Sequence, residues 1–128
     1  MITVYVKNGD HLQKQALSDT QPIPPNTVWI DLLNMTPLEE KIVEKATGIN
    51  IPSREEMHEI ELSSRLYQEH NAFFMTMTIV SRSDTPQPES HAITFILLNN
   101  QLVTLRYIDS QSFILFSLLA EKLPLTTF

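Results

Sequence analysis

The sequence contains no cysteine and only two glycines among its 128 residues. Without cysteine, a disulfide framework, a thiolate zinc site and thiol-based catalysis are all excluded. The two glycines, Gly9 and Gly48, are isolated from each other, so no glycine-rich loop can hold a phosphate group. Both are explained by local reversals of the chain.

Basic clusters and long apolar runs are also missing. Fifteen acidic residues outnumber nine basic ones, giving a net charge of −6, and the bases are scattered singly. Nucleic acid and anionic membrane surfaces are therefore disfavoured as partners. The apolar runs are far shorter than a membrane-spanning helix, and the N-terminus lacks the pattern of a signal peptide. These features predict a soluble, cytoplasmic chain.

Size and patterning predict a single domain over residues 1–128. The 42% hydrophobic and 19% charged fractions are ordinary for a globular protein. Alternating apolar residues indicate strands before residue 34 and again from Leu66 onward. The predicted order is β-β-β-α-α-β-β-β-α. This order corresponds to an α/β fold of the α+β type, with a mixed sheet of about six strands and helices packed on it.

Local signals predict where the first two helices begin. Thr36 and Glu39 have the spacing of a capping box, and Gly48 provides a stop for the helix that they open. Ser53 and Glu56 repeat the same spacing before a short second helix. Glu56 therefore has a structural role as part of a capping box, and any functional role must exist beside it or replace it.

Several other residues have a predicted structural role. Trp29 and the alternating Met75 and Met77 lie in apolar strands, which favours core positions over metal binding. His70 and Asn71 precede a long apolar strand and are expected to serve a turn or strand entry. A last helix is expected to begin at Asp109 or Ser110 and to carry an apolar face.

The densest group of polar side chains lies in residues 53–70, with five carboxylates and two histidines. Glu55 and His58 have the spacing found in di-iron helical bundles, but this chain offers a single copy. A helical wheel places both residues opposite the apolar positions, so a solvent-facing helix surface is the favoured interpretation. No nucleophile and base pair is evident, and the sequence predicts a protein that is not an enzyme.

Five segments, taken together in order, resemble the N-terminal cytoplasmic domain of CorA-type magnesium/cobalt ion transporters. The segments are VWID (28–31), TPLEE (36–40), GINIP (48–52), EEMHEIELSSRLY (55–67) and ITFILLNNQLVTLRY (93–107). The family's Gly-Met-Asn pore signature is absent, as are its long helix and transmembrane helices. The resemblance therefore implies a soluble regulatory fragment of a transporter that lies on the cytoplasmic face of the inner membrane.

The resemblance also implies a mechanism and a metal site. In such transporters five copies surround the pore, and divalent ions bound between neighbouring cytoplasmic domains favour the closed state. Glu56 matches the metal-facing position best, and Glu55 is the second candidate. Regulatory Mg²⁺, with Co²⁺ as a further candidate, is expected to bind weakly to the isolated domain, because the partner carboxylate would lie on the absent long helix.

Two alternatives remain open at this point. A zinc transporter of the same superfamily would have a similar cytoplasmic domain. A free-standing, non-enzymatic interaction domain could have a similar sheet.

Overall fold

A central sheet and three helices make up the computed structural model, which describes residues 1–18, 21–59, 66–81, 86 and 89–124. The helices are α1 (Pro37–Thr47), α2 (Arg54–Glu59) and α3 (Gln111–Lys122). The strands are β1 (Ile2–Asn8), β2 (His11–Leu17), β3 (Thr27–Leu33), β4 (Leu66–Glu69), β5 (Ala72–Ser81), β6 (Glu89–Leu97) and β7 (Leu102–Arg106). Residues 60–65 of the acidic motif and most of the loop before β6 lie outside the described residues.

The mixed α+β fold is confirmed, with seven strands where about six were predicted. The additional strand arises because the segment that begins at Leu66 reverses at His70 and Asn71, whose φ angles are 50° and 67°. Two consecutive residues with positive φ form the tight turn whose twist suits a β-hairpin. The turn proposed at these two residues is therefore present, and it separates β4 from β5.

The strands are arranged in the order β2-β1-β3-β7-β6-β5-β4. All neighbouring pairs are antiparallel except β3 and β7, which run parallel with Trp29 opposite Leu102 and Leu33 opposite Arg106. This parallel pair joins the N-terminal half of the sheet to the C-terminal half. Residues that are distant in sequence thereby become neighbours at the centre of the sheet.

The inner face of the sheet, which is covered by α1 and α2, contains the main hydrophobic core. Val43 of α1 and Met57 of α2 are completely buried against it. The sheet supplies residues from both halves, including Ile2, Val4, Ile30, Leu32, Phe74, Ile96, Val103 and Leu105. Burial of these side chains is the main favourable contribution to folding.

Helix α1 begins and ends as its sequence predicts. Thr36 Oγ1 accepts a hydrogen bond from the Glu39 amide at 3.2 Å, and Glu39 Oε1 accepts one from the Thr36 amide at 3.0 Å. At the other end Gly48 adopts φ 75°, and its amide donates to the Glu44 carbonyl at 2.8 Å. Local hydrogen bonding therefore explains both boundaries.

Helix α3 packs on the outer face of the sheet, above a network of buried polar groups. The Arg106 guanidinium donates to both carboxylate oxygens of Asp31, with a shortest distance of 2.6 Å between Nη2 and Oδ2. Asp31 also accepts a hydrogen bond from Thr104, which in turn accepts one from the Trp29 indole. The guanidinium lies 4.3 Å from the centre of the Phe113 ring in α3. The network thus links β3, β7 and α3.

The expectation that Met75 and Met77 fill the core was wrong. Both side chains are 43% exposed, whereas the alternate residues Phe74 and Thr76 are almost completely buried. Strand alternation separates two faces of β5, but it does not indicate which face another layer covers. Here α1 and α2 cover the face that carries Phe74. Trp29, by contrast, is buried as expected.

We expect Glu39→Gln to destabilise the domain by about 1.5–3 kcal/mol at neutral pH, the range for a hydrogen bond to a charged group. Burial by itself raises the pKa of the buried Glu39 carboxyl, but the Met1 ammonium group, 2.9 Å away, and Thr36 outweigh this effect and lower it. Because its pKa is lowered in the folded state, the ionised Glu39 carboxylate stabilises the fold fully at pH values above the ordinary glutamate pKa. This stabilisation is lost as the pH falls through the lowered pKa. Urea unfolding across pH measures the difference.

The neighbouring substitution Glu40→Gln is the matched control. The pKa of Glu40 is raised, so removal of its charge should leave stability at neutral pH unchanged or higher. If Glu39→Gln lowers the free energy of unfolding by the same amount in strongly acidic solution, the ionised carboxylate is not the source of the stability.

We expect Asp31→Asn to cost about 3–5 kcal/mol, because it leaves the buried Arg106 charge without its counter-ion. Asp109→Asn is the control, since Asp109 contacts the same guanidinium at 3.2 Å but its side chain is 56% exposed. Its loss should be below about 1 kcal/mol. Thermal or urea unfolding of both variants measures the two losses of stability. Equal losses would disprove the prediction that Asp31 is the essential counter-ion.

Candidate metal site on helix α2

Helix α2 is fixed by one apolar anchor and one capping box. Met57 is completely buried, and its amide donates to the Ser53 carbonyl at 3.0 Å. Ser53 Oγ accepts a hydrogen bond from the Glu56 amide at 3.1 Å, and Glu56 Oε1 accepts one from the Ser53 amide at 3.1 Å. The predicted capping box is therefore present. With Met57 pointing inward, Glu55, Glu56 and His58 are exposed.

Glu56 lies close enough to α1 to affect the ionisation of Glu40. The pKa of the Glu40 carboxyl is raised, first by desolvation and then by the negative charges of Glu44 and Glu56. Lys41 offsets part of this effect. Carboxylates from two helices thus repel one another at the α1–α2 surface, which is the electrostatic condition that favours a bound cation.

The two predicted metal ligands have different neighbours. Burial raises the pKa of Tyr67, and the charges of Glu69 and Glu56 raise it further. Burial also raises the pKa of Tyr107. The charge of Arg54 lowers this pKa, and the charges of Glu40 and Glu55 raise it. The charge of Glu56 therefore acts on Tyr67, and the charge of Glu55 acts on Tyr107.

Glu40, which the sequence analysis did not single out, is the carboxylate whose pKa responds to the charge of Glu56. The charge of Glu56 raises the pKa of Glu40. The charges of Glu40 and Glu55 both raise the pKa of Tyr107. Glu40 therefore interacts electrostatically with the surroundings of both predicted ligands. The spacing of Glu40 and Glu44 was the available signal, because residues four apart lie on one face of a helix. What the sequence could not show is that the charge of Glu56, on α2, acts on Glu40.

Glu44 has a separate structural role. Its Oε2 accepts a hydrogen bond from the Ile51 amide at 3.0 Å, which ties the end of α1 to the chain that leads into α2. Glu56 is tied in the same way, because its Oε1 accepts the Ser53 amide. A carboxylate that accepts one hydrogen bond keeps further lone pairs, so these bonds do not rank Glu44 below Glu56 as a ligand.

The described residues do not by themselves form a metal site. Among the described residues, no group of three or more histidine, cysteine, aspartate or glutamate side chains is arranged to hold a metal ion. Magnesium needs fewer protein ligands than that, since it is usually held by one or two carboxylates and keeps several waters. Glu56 and Glu40 are the two carboxylates on different helices whose charges interact here.

A polar cavity of about 130 Å³ lies between the sheet and α3. Its lining includes Lys14 and the network described above, together with Tyr5 and Ser117, whose hydroxyl oxygens are 2.6 Å apart. Lys14 Nζ also donates to Ser117 Oγ at 3.4 Å. The polar groups that line the cavity form hydrogen bonds with one another. These bonds attach α3 to the sheet.

Comparison with known proteins gave consistent results, although no family model matches the chain. The magnesium transport protein CorA of Campylobacter jejuni is 28% identical over 88% of this chain, and that of Wolinella succinogenes is 26% identical over 88%. The Escherichia coli K12 protein of the same name is 22% identical over 95%. The chain spans only 37–38% of the length of these relatives.

The fold also matches a solved structure. The complete structure of the CorA magnesium transporter from Methanocaldococcus jannaschii aligns with a TM-score of 0.62 over 93% of this chain and 36% of that chain, at 13% identity. In the part of the chain that the structure describes, no helix is long and apolar enough to cross a membrane. The sequence matches over most of the chain, together with the shared fold, support a CorA-type N-terminal domain.

Proposed function

We propose that the chain is the cytoplasmic ligand-sensing domain of a CorA-like transporter of Mg²⁺ and Co²⁺. The observation that carries this proposal is the similarity of most of the chain to magnesium transport proteins. Because the chain spans about 38% of the length of such relatives, ion transport would belong to the longer protein. The names of these relatives favour magnesium over the zinc alternative.

The proposed sensing site is centred on Glu56, with Glu55 as the second candidate ligand. Glu56 is exposed at a position that the buried Met57 fixes, so it can meet a group on another chain. Its charge already raises the pKa of Glu40 within one domain. The carboxylates of a neighbouring copy would add to this repulsion.

The gating step is a change in how copies of the domain associate, in a homopentamer on the cytoplasmic face of the membrane. When magnesium is scarce, the carboxylates of neighbouring domains repel one another and the domains move apart. A bound divalent cation supplies the positive charge that offsets this repulsion. Because the cation binds only when the domains are close, it shifts the population toward the closed arrangement.

The isolated chain would hold only part of such a site. Two carboxylates and water ligands give a weakly bound, largely hydrated magnesium ion. The capping box also competes for Glu56, because Oε1 already accepts the Ser53 amide. A millimolar dissociation constant is therefore expected for the 128-residue chain.

We expect Glu56→Gln to weaken magnesium-dependent closure of the longer protein while preserving α2. Glutamine can replace glutamate in a capping box, so this variant removes the charge and keeps the cap. The measurement is the magnesium concentration that gives half-maximal protection against limited proteolysis, which should rise several-fold.

Ser53→Ala is the matched variant, because it removes the cap and keeps the Glu56 carboxylate. It should lower stability by about 1 kcal/mol and leave the magnesium midpoint unchanged. If Glu56→Gln leaves the midpoint unchanged as well, Glu56 is not a ligand of the regulatory site.

In the 128-residue chain, Glu56→Gln should also lower the pKa of Glu40 toward its ordinary value, since it removes one of the charges that raise it. Glu55→Gln is the control: it should lower the pKa of Tyr107 and leave Glu40 unaffected. Titration of the side-chain carboxyl and ring carbons by NMR measures both groups. A Glu40 pKa that is the same in wild type and Glu56→Gln would disprove the proposed proximity.

A further inference from the structure

A cavity of about 440 Å³ lies at the end of the sheet where β3, β5 and β7 begin and β6 ends. Its walls come from four segments: the chain that enters β3, the end of α1, and the turns before β5 and β7. We call this space, between Thr27, Thr47, Asn71 and Gln101, the end cavity. Its volume falls within the range of about 300–1,000 Å³ that is typical of small-molecule sites.

Hydrogen-bonding side chains without a fixed charge dominate the lining of the end cavity. Four side-chain amides, two threonine hydroxyls and one imidazole line it, and Pro25 and Leu98 are the apolar members. Among the described residues that line it, none is aspartate, glutamate, lysine or arginine. Most small-molecule sites are lined mainly by apolar side chains, so this polar lining indicates a hydrophilic ligand.

Hydrogen bonds within the fold hold the walls of the end cavity in position. The Leu98 amide donates to the Gln101 carbonyl at 2.9 Å, and Gln101 Nε2 donates to the Thr27 carbonyl at 3.1 Å. Thr47 Oγ1 donates to the Val43 carbonyl at 2.7 Å. Because Thr47 is the donor in this bond, its oxygen can still accept a hydrogen bond from a ligand. A preformed site of this kind lowers the entropic cost of binding.

The Thr27 hydroxyl is a buried polar group that has no hydrogen-bond partner among the described residues. The register of β1 and β3 shifts so that Val6 pairs with Thr27 and Val28 is left unpaired, which is the pattern of a β-bulge. Paired residues project from the same face of a sheet. Since Val6 belongs to the main core, Thr27 lies on the inner face, which α1 covers. A hydrogen-bonding ligand in the end cavity would supply the missing partner.

Two features of the lining indicate a ligand that is neither anionic nor aromatic. Thr47 is the last residue of α1, and the carbonyl end of a helix carries a partial negative charge that repels anions. In the described part of the lining, His70 has the only aromatic ring, whereas proteins usually hold nucleobases by stacking them on aromatic side chains. Hydroxyl groups both donate and accept hydrogen bonds, as amide and threonine side chains do.

We propose that the end cavity binds an uncharged polyhydroxylated molecule, a sugar or a polyol. Its hydroxyl groups form hydrogen bonds with the amides of Asn71, Asn99 and Asn100, whose side chains form none with other described residues. One hydroxyl group of the ligand bonds to Thr27, and Leu98 contacts the ligand's C–H groups.

This site is separate from the proposed metal site. Glu40 lies in the first turn of α1, whereas Thr47 is its last residue, so the two sites lie at opposite ends of the helix. Failure of one proposal therefore leaves the other intact.

The test is an NMR titration of the 128-residue chain with glucose, ribose and myo-inositol. We expect at least one of these probes to shift the side-chain amide signals of Asn71, Asn99, Asn100 and Gln101 in a saturable way. The midpoint should be on the order of 1–10 mM, as for a small ligand held by a few hydrogen bonds. Signal shifts are the better readout, because polyols raise the stability of proteins in general by being excluded from their surfaces.

Thr27→Val is the decisive variant, because it removes the hydroxyl and keeps the shape of the side chain. The hydroxyl has no partner within the described fold, so the urea midpoint of unfolding should be unchanged or higher. The midpoint of the sugar titration should rise about three- to tenfold, the loss expected for one hydrogen bond. Thr78→Val is the matched control: it makes the same chemical change on an exposed residue about 20 Å along β5 from Asn71 and should leave the titration unchanged.

Three further outcomes would overturn the proposal. Tighter binding of glucose 6-phosphate than of glucose would assign the end cavity to an anion, and tighter binding of adenosine than of all three probes would assign it to a nucleobase. Shifts that are absent or do not saturate with all three probes would show that it holds only water. A titration midpoint in Thr27→Val equal to that of the wild type would remove the Thr27 hydroxyl from the site and overturn the proposal as stated.

Discussion

The buried ion pair between Asp31 and Arg106 holds together the two halves of this domain. It lies on the parallel pair β3 and β7, where strands from the two ends of the chain meet. Burial alone lowers the pKa of an arginine, yet the hydrogen bonds and charge of Asp31 raise the pKa of Arg106 above its usual value. The guanidinium therefore remains charged. Through Phe113 it also positions α3, so a single pair organises the sheet centre and the outer helix.

The two faces of the sheet are specialised in different ways. The inner face is closed by α1 and α2, whose outer surfaces carry the carboxylates Glu40, Glu55 and Glu56. The outer face is closed only in part by α3. Charge repulsion is concentrated on one side of the domain, and apolar exposure on the other. A bound cation would relieve the charge repulsion on the first side.

The structure gives Glu56 two competing roles. It caps α2 through Ser53, and it affects the ionisation of Glu40 and Tyr67 through its charge. The cap is a local interaction that any helix could have, whereas the effect on Glu40 depends on where α1 and α2 lie on the sheet. Only the second role makes Glu56 a candidate sensor, and the substitutions that separate charge from cap distinguish the two.

Local chemistry in the sequence determined the element boundaries. The capping boxes at Thr36 and Ser53, the glycine stop at Gly48 and the turn at His70 and Asn71 each depend on residues within a few positions of one another. The sequence alone also predicted the α+β class, because alternating and helical periods can be read without tertiary contacts. The resemblance to CorA-type proteins was visible for the same reason, in short segments of fixed order.

The tertiary structure decided which surfaces are inside and which charges are neighbours. Alternation along β5 was clear, but only the packing of α1 and α2 showed that Phe74 is buried and Met75 exposed. Likewise, only the folded chain brings the charge of Glu56 within reach of Glu40. These facts depend on contacts between residues that are distant in the chain, and no local pattern encodes which layer will cover a given face.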